Sequence, residues 1–352
     1  MTTRLKLGLV GLGAVAERYH VPAIRAVPEV QAWMAVDLDI ERARQVGSLA
    51  PFEHVTTKLD DLDNNVDLAI VALPNGAHQP VACQLLEAGI HVLCEKPMAR
   101  TVAECRAMIA SAERSGARLC IGQNRRFRTN VVEAKRLIDA GLLGQINHIE
   151  AEEGGTSDWQ RSAAYFDPTL AGGGALLDVG IHAIDLIRFL VGEFDEVVYE
   201  GNQTSQTVES HAVVRFKLAT GAVGSITSSR VQDLRQRIIL RGDEGELTIG
   251  LWGSSLMLSR TSGKAFERFK QLTLNPVRRA MDASFVEQLT QFVRAITSGG
   301  PVPITGKDGL NTVEVVERAY CRLHKEELSI TAVHSSANGE SYSRRRAGVS
   351  AE

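Results

Sequence analysis

Two carboxylates and an imidazole lie close together in the glycine-rich segment at residues 172–185, GGGALLDVGIHAID. If a helix begins near Asp178, its side chain and that of His182 share one face, because they are four positions apart. A carboxylate beside an imidazole is a common way to orient a general base. A helix N-cap with an incidental histidine would give the same pattern. A metal held by Asp178, His182 and Asp185 has no further ligand in its favour, and we expect none.

Lys96 is a further candidate, in the sequence Glu95-Lys96-Pro97 that follows a short apolar stretch at 91–93. A lysine there can position a substrate group, or it can simply be a solvated charge. Histidine ordinarily titrates near neutrality, whereas lysine ordinarily stays charged. We therefore assign proton transfer to His182 and positioning to Lys96.

The N-terminal sequence GLVGLGAVA contains the pattern G-x-G-x-x-A between an apolar strand and a helical pattern. Gly11 permits a tight turn, Gly13 lets the backbone approach a pyrophosphate, and Ala16 keeps helix and strand close. Asp37 ends the next strand, where it would accept hydrogen bonds from the adenosine ribose. Asp39 adds a second negative charge against a 2′-phosphate, so the pattern predicts NAD rather than NADP. A purely structural glycine turn is the alternative.

The sequence LPNGAH at residues 73–78 follows another apolar strand. Loops at the carboxyl ends of strands line the ligand crevice of an open α/β sheet. We expect Asn75 and His78 to touch the cofactor; an ordinary loop capped by Asn75 is the alternative.

Composition excludes several classes of protein. The 352 residues have a net charge of −3 and only 5% aromatic residues, which argues against a nucleic-acid surface. The five cysteines form no C-x-x-C pair and fit a reducing cytoplasm. Arg4 and Lys6 precede an apolar run at 7–15 that resembles a signal peptide, but cleavage would destroy the glycine pattern. We also expect no apolar stretch of the 18 residues that a membrane span requires, and hence no membrane association.

The elements that position these residues fall into two groups, so we predict two domains and a tail. Residues 1–123 alternate apolar strands with helices, which predicts a doubly wound parallel Rossmann sheet. Residues 124–334 contain strand-like runs and turn signals, which predict an α+β domain on a large, mostly antiparallel open sheet. Residues 335–352 are small and polar and predict a disordered tail. The predicted strands are 5–10, 31–36, 68–72, 91–93, 118–121, 146–152, 196–201, 211–217, 222–229, 236–241 and 246–249, and the predicted helices are 15–26, 40–48, 79–88, 102–114, 131–140, 181–190, 283–297 and 309–323.

Six motifs in order resemble the family of glucose–fructose oxidoreductase, inositol dehydrogenase and the rhizopine-catabolism protein (Gfo/Idh/MocA). They are GLVGLGAVA, VALPNGAH, AGIHVLCEKPMA, GQNRRF, AGGGALLDVGIHAIDL and ITGKDGLNTVEVVERAY. The resemblance implies that Lys96 is the active-site lysine and that Asp178 and His182 are the D-x-x-x-H pair. His182 would exchange the substrate hydroxyl proton while nicotinamide takes the hydride from the same carbon.

The resemblance, taken with the loops above, completes the expected site. The dinucleotide would contact Gly11, Leu12, Gly13, Ala14, Val15, Asp37, Leu38, Leu73, Pro74, Asn75, His78, Glu95, Lys96 and Arg125. The substrate would contact Lys96, Asn124, Arg125, Trp159, Asp178 and His182. Asn124 and the segment 157–167 match no particular member, so the identity of the sugar or polyol stays open.

The resemblance also implies a cis Lys96–Pro97 bond and a dimer or tetramer. We attribute the assembly to strands at 146–249, whose sheet we expect to expose an uncovered apolar face. Three functions are compatible with the sequence: an NAD-dependent dehydrogenase or ketoreductase of a sugar, an inositol or a nucleotide sugar, an NAD-dependent glycosidase using transient oxidation, and a dinucleotide-responsive regulator without activity. The presence of Lys96, Asp178 and His182 favours the first.

Overall fold

The computed structural model describes residues 4–156, 166–202, 207–262, 265–273 and 280–321. Within these residues the chain forms two sheets, one of six strands and one of eight. The predicted tail at 335–352 and the predicted substrate residue Trp159 lie outside the described residues.

The six-stranded sheet is parallel throughout and has the order β3-β2-β1-β4-β5-β6. This is the order of dinucleotide-binding sheets, in which the order of successive strands reverses between β1 and β4 and leaves a crevice at their carboxyl ends. β3 was not predicted, because three largely exposed residues carry no apolar pattern. The strands are β1 Leu5–Val10, β2 Val30–Val36, β3 His54–Thr56, β4 Leu68–Val71, β5 His91–Glu95 and β6 Leu119–Gly122.

The helices of this half differ from prediction at two N-termini. They are α1 Val21–Ala26, α2 Ile40–Gly47, α3 Asn75–Glu87 and α4 Val102–Ser115. α1 is preceded by a wide π-helical turn, Ala16–His20, because the ring of Pro22 obstructs regular hydrogen bonding to the preceding turn. α3 begins at Asn75, four residues earlier than predicted, and the Asn75 side chain does not cap it.

The eight-stranded sheet has the order β14-β13-β12-β11-β7-β10-β9-β8. All its pairings are antiparallel except the central pair of β7 and β10. β13 and β14 were not predicted, because a register shift at Met257/Leu258 interrupts the alternation that marks a strand. The strands are β7 Ile146–Gly154, β8 Phe194–Gly201, β9 His211–Leu218, β10 Val223–Ser229, β11 Arg237–Gly242, β12 Gly245–Gly250, β13 Ser255–Ser262 and β14 Ala265–Thr273.

The remaining helices connect the two sheets. They are α5 Thr129–Asp139, α6 Pro168–Ala171, α7 Ile181–Leu190, α8 Ala280–Ser298 and α9 Gly306–Cys321. α8, expected to cover the second sheet, packs against α1, and α9 packs against α4 and α7. The Gln288 side chain donates to the carbonyl of Ile121 (3.1 Å), which ties α8 to the end of β6.

One segment corrects the expectation that no apolar stretch is long enough to cross a membrane. By length and composition Pro168–Leu190 qualifies, with a mean hydropathy of 1.5. The same window is 78% buried inside the protein. Gly172, whose φ of +75° interrupts regular helix, divides it. Its apolar character is that of a core helix.

The expectation that the second sheet exposes an uncovered apolar face is also wrong. On the face of the second sheet opposite the helices, neighbouring strands pair charged side chains. Arg241 contacts Glu150 (3.1 Å) and Glu246 (2.8 Å), and Arg237 contacts Glu152 (3.6 Å). Cross-strand charge pairs of this kind solvate the face, so its apolar area is smaller than the sequence suggested.

Candidate active site

One cavity of about 690 Å³ opens where the carboxyl ends of β1, β4 and β5 face the second sheet. Its size is typical of small-molecule and cofactor sites. Among the described residues, every one predicted to contact cofactor or substrate lines it except His78. These residues are Gly11, Leu12, Gly13, Ala14, Val15, Asp37, Leu38, Leu73, Pro74, Asn75, Glu95, Lys96, Asn124, Arg125, Asp178 and His182.

The two glycines at one end have different roles. Gly11 has φ +85°, and a Cβ there would lie 2.5 Å from the carbonyl oxygen of Ala72, so only glycine fits this turn. A Cβ at Gly13 would meet nothing within 4 Å. The open space lies at the cavity wall, where it lets a phosphate approach the backbone.

Asp37 is fixed at the same end. Its carboxylate accepts hydrogen bonds from the N–H of Leu12 (2.8 Å) and of Asp39 (3.0 Å). Asp39 does not line the cavity; it caps α2 by accepting from the N–H groups of Glu41 (3.0 Å) and Arg42 (3.3 Å). Asp37 therefore lies where it would oppose a 2′-phosphate, and the expected direct contribution of Asp39 is corrected.

His78 holds loops rather than cofactor. Position 78 lies in the first turn of α3, and its buried ring lies between two carbonyl groups. Nδ1 is 2.8 Å from the oxygen of Pro97, and Nε2 is 2.7 Å from that of Leu73. Burial lowers the pKa of His78, partly opposed by these carbonyls. The ring thereby joins the loop after β4 to the loop that carries Lys96.

Lys96 reaches across the cavity from the end of β5. Its Nζ donates to the backbone oxygen of Asp178 (2.8 Å) and to Oδ1 (3.2 Å). The Lys96–Pro97 bond is cis, as the resemblance implied. The other carboxylate oxygen, Oδ2, lies 3.4 Å from Nε of the buried Arg230, a residue that no sequence motif singled out.

Glu95, next to Lys96, is also constrained. Its Oε1 is 2.9 Å from Nε2 of His20, and its Oε2 accepts from the backbone N–H of Lys96 (3.1 Å). Burial alone would raise the pKa of Glu95, but the hydrogen bond from His20 and the charge of Lys96 lower it overall. The carboxylate stays ionised and supports the turn that aims Lys96.

His182 is 8% exposed and lines the cavity between the two halves. Burial, followed by the charges of Arg125, Lys96 and Arg128, lowers its pKa well below 6.5. Its Nδ1 has no hydrogen-bond partner within the described ranges. The expectation that Asp178 holds this imidazole is therefore corrected: the carboxylate is drawn to two cations instead.

Asp178 is placed by a turn that the glycine run makes possible. The π-helical turn Leu176–Gly180 carries it, and the buried Glu209 accepts from the N–H groups of Gly174 (3.0 Å) and Leu176 (2.9 Å). A Cβ on Gly174 would lie 2.0 Å from the carbonyl oxygen of Glu209, which requires glycine there. The Tyr320 hydroxyl also donates to Glu209 (2.7 Å). π-helical turns are frequent at functional sites.

Arg125 is aimed by a second carboxylate that sequence reasoning missed. Both of its terminal nitrogens donate to Glu153 at the end of β7, one at 2.6 Å, and both residues are buried. Bidentate pairing fixes the guanidinium plane. The neighbouring Asn124 donates to the Ser284 hydroxyl (2.8 Å).

Asp185 does not belong to the site. Its two oxygens accept from Arg126 at 2.9 and 2.6 Å, and Arg126 also reaches Asp308 (3.2 Å). In the part of the chain that the structure describes, no group of three or more His, Cys, Asp or Glu side chains could hold a metal ion.

The fold and the cavity together define a dinucleotide-binding oxidoreductase with its reactive groups between two sheets. Residues 5–123 match the NAD-binding Rossmann-fold model of the Gfo/Idh/MocA oxidoreductase family, and residues 131–248 match the C-terminal domain model of the same family. The chain belongs to this family.

Individual relatives agree. The chain is 25% identical to myo-inositol 2-dehydrogenase of Thermotoga maritima over 87% of its own length and 92% of the relative's. It superposes on levoglucosan dehydrogenase in complex with NADH and levoglucosan with a TM-score of 0.81 and 25% identity, covering 91% of this chain and 98% of that one. GenD2 from gentamicin A biosynthesis, in complex with NAD, gives 0.79 and 28%, with 91% and 94% covered. The expected family, fold class and cofactor are thereby confirmed, and the chain is an NAD-dependent oxidoreductase of the dehydrogenase type.

Proposed function

We propose that this enzyme interconverts a secondary hydroxyl and a carbonyl on a sugar, an inositol or a sugar derivative. The observation that carries the proposal is the meeting of Lys96, Asp178 and His182 in one cavity, whose far end holds Gly13 and Asp37. NAD, when bound by that end, supplies the hydride acceptor. The comparisons support this class, since two of the relatives above are named as dehydrogenases of an inositol and of a sugar anhydride.

The roles follow from the state of each group. An imidazole that is neutral at pH 7 can accept a proton, so His182 is the base when a hydroxyl is oxidised. Lys96 lies where its ammonium can donate a hydrogen bond to the same oxygen and stabilise negative charge on it. Asp178 and Arg230 act through Lys96, because they fix where its Nζ lies.

The glycosidase alternative uses the same chemistry but regenerates its cofactor in each turnover, and the regulator has no turnover. Purified protein can therefore be screened by thermal shift and by NADH absorbance against NAD and NADP, with myo-inositol, levoglucosan and D-glucose. We expect NADH to accumulate in a one-to-one ratio with a carbonyl product. Hydrolysis of levoglucosan to glucose without accumulation of NADH would favour the glycosidase, and NAD binding without turnover of any panel member would favour the regulator.

We further propose that two or four copies associate through the open face of the second sheet in the cytoplasm. The five cysteines are all unpaired, which supports a reducing compartment. Because the face carries ion pairs such as Arg241–Glu150, the association should weaken as salt is raised. Light scattering at micromolar concentration tests this, and a monomer at low salt would contradict it.

A further inference from the structure

A large aromatic side chain stands half exposed inside the cavity. Trp252 lies between β12 and β13 and lines the cavity with 50% of its surface exposed. Single exposed apolar residues are normal on a protein surface and need no explanation. This one faces the same space as Lys96 and His182, and its ring lies 6.0 Å from the Arg125 guanidinium.

The short loop that carries Trp252 is anchored from beneath. The N–H of Leu251 donates to the carbonyl of Gln236 (2.8 Å), and the Leu251 carbonyl accepts from the Arg128 guanidinium. The Asn130 amide donates to the carbonyls of Gly250 (2.9 Å) and Ser255 (3.1 Å). The loop is therefore held on both sides of the tryptophan.

The two side chains that anchor the loop, Arg128 and Asn130, are buried, which costs them their hydration. Arg128 is 1% exposed and Asn130 is 0% exposed. Burial lowers the pKa of Arg128 to about 9, a sign of how unfavourable the site is for a cation. Because the buried Arg128 and Asn130 bond the backbone on either side of Trp252, they hold the position of the loop that carries it.

We propose that Trp252 is the platform on which the ring of a cyclic substrate stacks, while Arg125, held by Glu153, contacts a hydroxyl at the ring edge. The proposal rests on the proposed function and narrows its substrate class to pyranoses and cyclitols. Such rings have a face of C–H groups that can bury against an indole, whereas an open-chain polyol has no fixed face to offer. The geometry thus makes Trp252 a specificity-determining residue.

The test is titration calorimetry on NADH-saturated protein, with myo-inositol and levoglucosan as cyclic probes and D-sorbitol as the open-chain probe. Trp252→Ala should weaken binding of the preferred cyclic probe by about tenfold or more, as expected for lost aromatic burial. Trp252→Phe should recover most of that loss. Trp33→Phe, a change on β2 outside the cavity lining, is the matched control and should leave the affinities for all three probes unchanged.

The outcomes separate this inference from the function it rests on. If the wild-type protein binds cyclic probes but does not oxidise them with NAD, the proposed function is wrong. The ratio of wild-type to Trp252→Ala affinity for the cyclic probe still tests the stacking role of Trp252. Unchanged affinity for the cyclic probe in Trp252→Ala would overturn the platform, as would a tenfold loss of NADH affinity, which would place the indole against the cofactor. Equal wild-type affinity for cyclic and open-chain probes, or no binding of any probe, would overturn it too.

Discussion

The charges around His182 favour its neutral form. The three groups that depress its pKa after burial are all cations, and Asp178 is committed to Lys96 and Arg230. A neutral imidazole is suited to accepting a proton but is a reluctant cation. At the residue scale, a neutral His182 suits the base that the proposed oxidation of a hydroxyl needs, and the positive charges would stabilise the oxygen as its proton leaves.

Replacing His182 by Ala should lower kcat by about 10²–10⁴-fold, the usual worth of general acid–base catalysis. The affinity for NAD should stay nearly unchanged, because the cofactor end of the cavity is separate. Steady-state kinetics and calorimetry on the same preparation check both. Near-normal turnover of the variant across about pH 6–9 would assign the base elsewhere, with Lys96 the first alternative.

The pH dependence has a definite sign. Since the pKa of His182 lies well below 6.5, the imidazole is neutral at pH 6.5 and becomes charged only in more acidic solution. The acid limb of kcat/KM for oxidation should therefore lie below pH 6.5. Arg125→Gln removes one of the depressing charges and should move that limb to higher pH. A wild-type limb at or above pH 6.5 would show that burial does not depress this group.

Cofactor choice tests Asp37 against Asp39. We expect NADP to bind at least tenfold more weakly than NAD, a difference of about 1.4 kcal/mol. Asp37→Asn removes the charge at the cavity and should reduce that ratio. Asp39→Asn is the matched control, since asparagine also caps helices, and it should preserve the ratio. Calorimetry giving equal wild-type affinities, or a larger effect at Asp39, would refute this assignment.

At the scale of elements, the turn that carries Asp178 depends on one buried carboxylate. Glu209→Gln should lower the free energy of unfolding by about 1–3 kcal/mol, because one amide or hydroxyl donor loses its acceptor. It should also lower kcat, since Asp178 sits two residues beyond Leu176. Tyr320→Phe removes only the hydroxyl donor and should cost less than Glu209→Gln. Urea unfolding and steady-state kinetics of both variants test these expectations. Equal stability of wild type and Glu209→Gln would contradict the capping role of Glu209.

The same elements show what sequence can and cannot predict. The glycine pattern, Lys96 and the Asp178–His182 spacing are local in sequence, so their places at the ends of strands and turns could be foreseen. Glu209, Glu153 and Arg230 pair with groups on other elements, at least 28 positions away in the sequence, and no spacing encodes those meetings. Asp39 was expected to face a 2′-phosphate, but it caps α2 instead. His78 was expected to touch the cofactor, but α3 begins at Asn75 and the His78 ring is buried between two backbone carbonyls.

At the scale of the whole molecule, the cavity lies between two sheets that the chain connects more than once. After the second sheet the chain returns, and α8 and α9 pack against α1 and α4 of the first half. Tyr19 stacks on Phe285 with ring centroids 4.9 Å apart, and both line the cavity. The returning helices, which the sequence had predicted as a cover for the second sheet, thus help to hold the two halves of the cavity together.

The central claim is hydride transfer from a substrate carbon to NAD within this cavity. The most direct measurement is a single turnover with perdeuterated myo-inositol and, in parallel, perdeuterated D-glucose, followed by mass spectrometry of the cofactor and product. For whichever probe reacts, we predict one deuterium on the reduced cofactor for each carbonyl formed, and a yield lowered at matched times in His182→Ala. Carbonyl formation with an undeuterated cofactor, or reaction of neither probe by protein that binds NAD, would contradict the account.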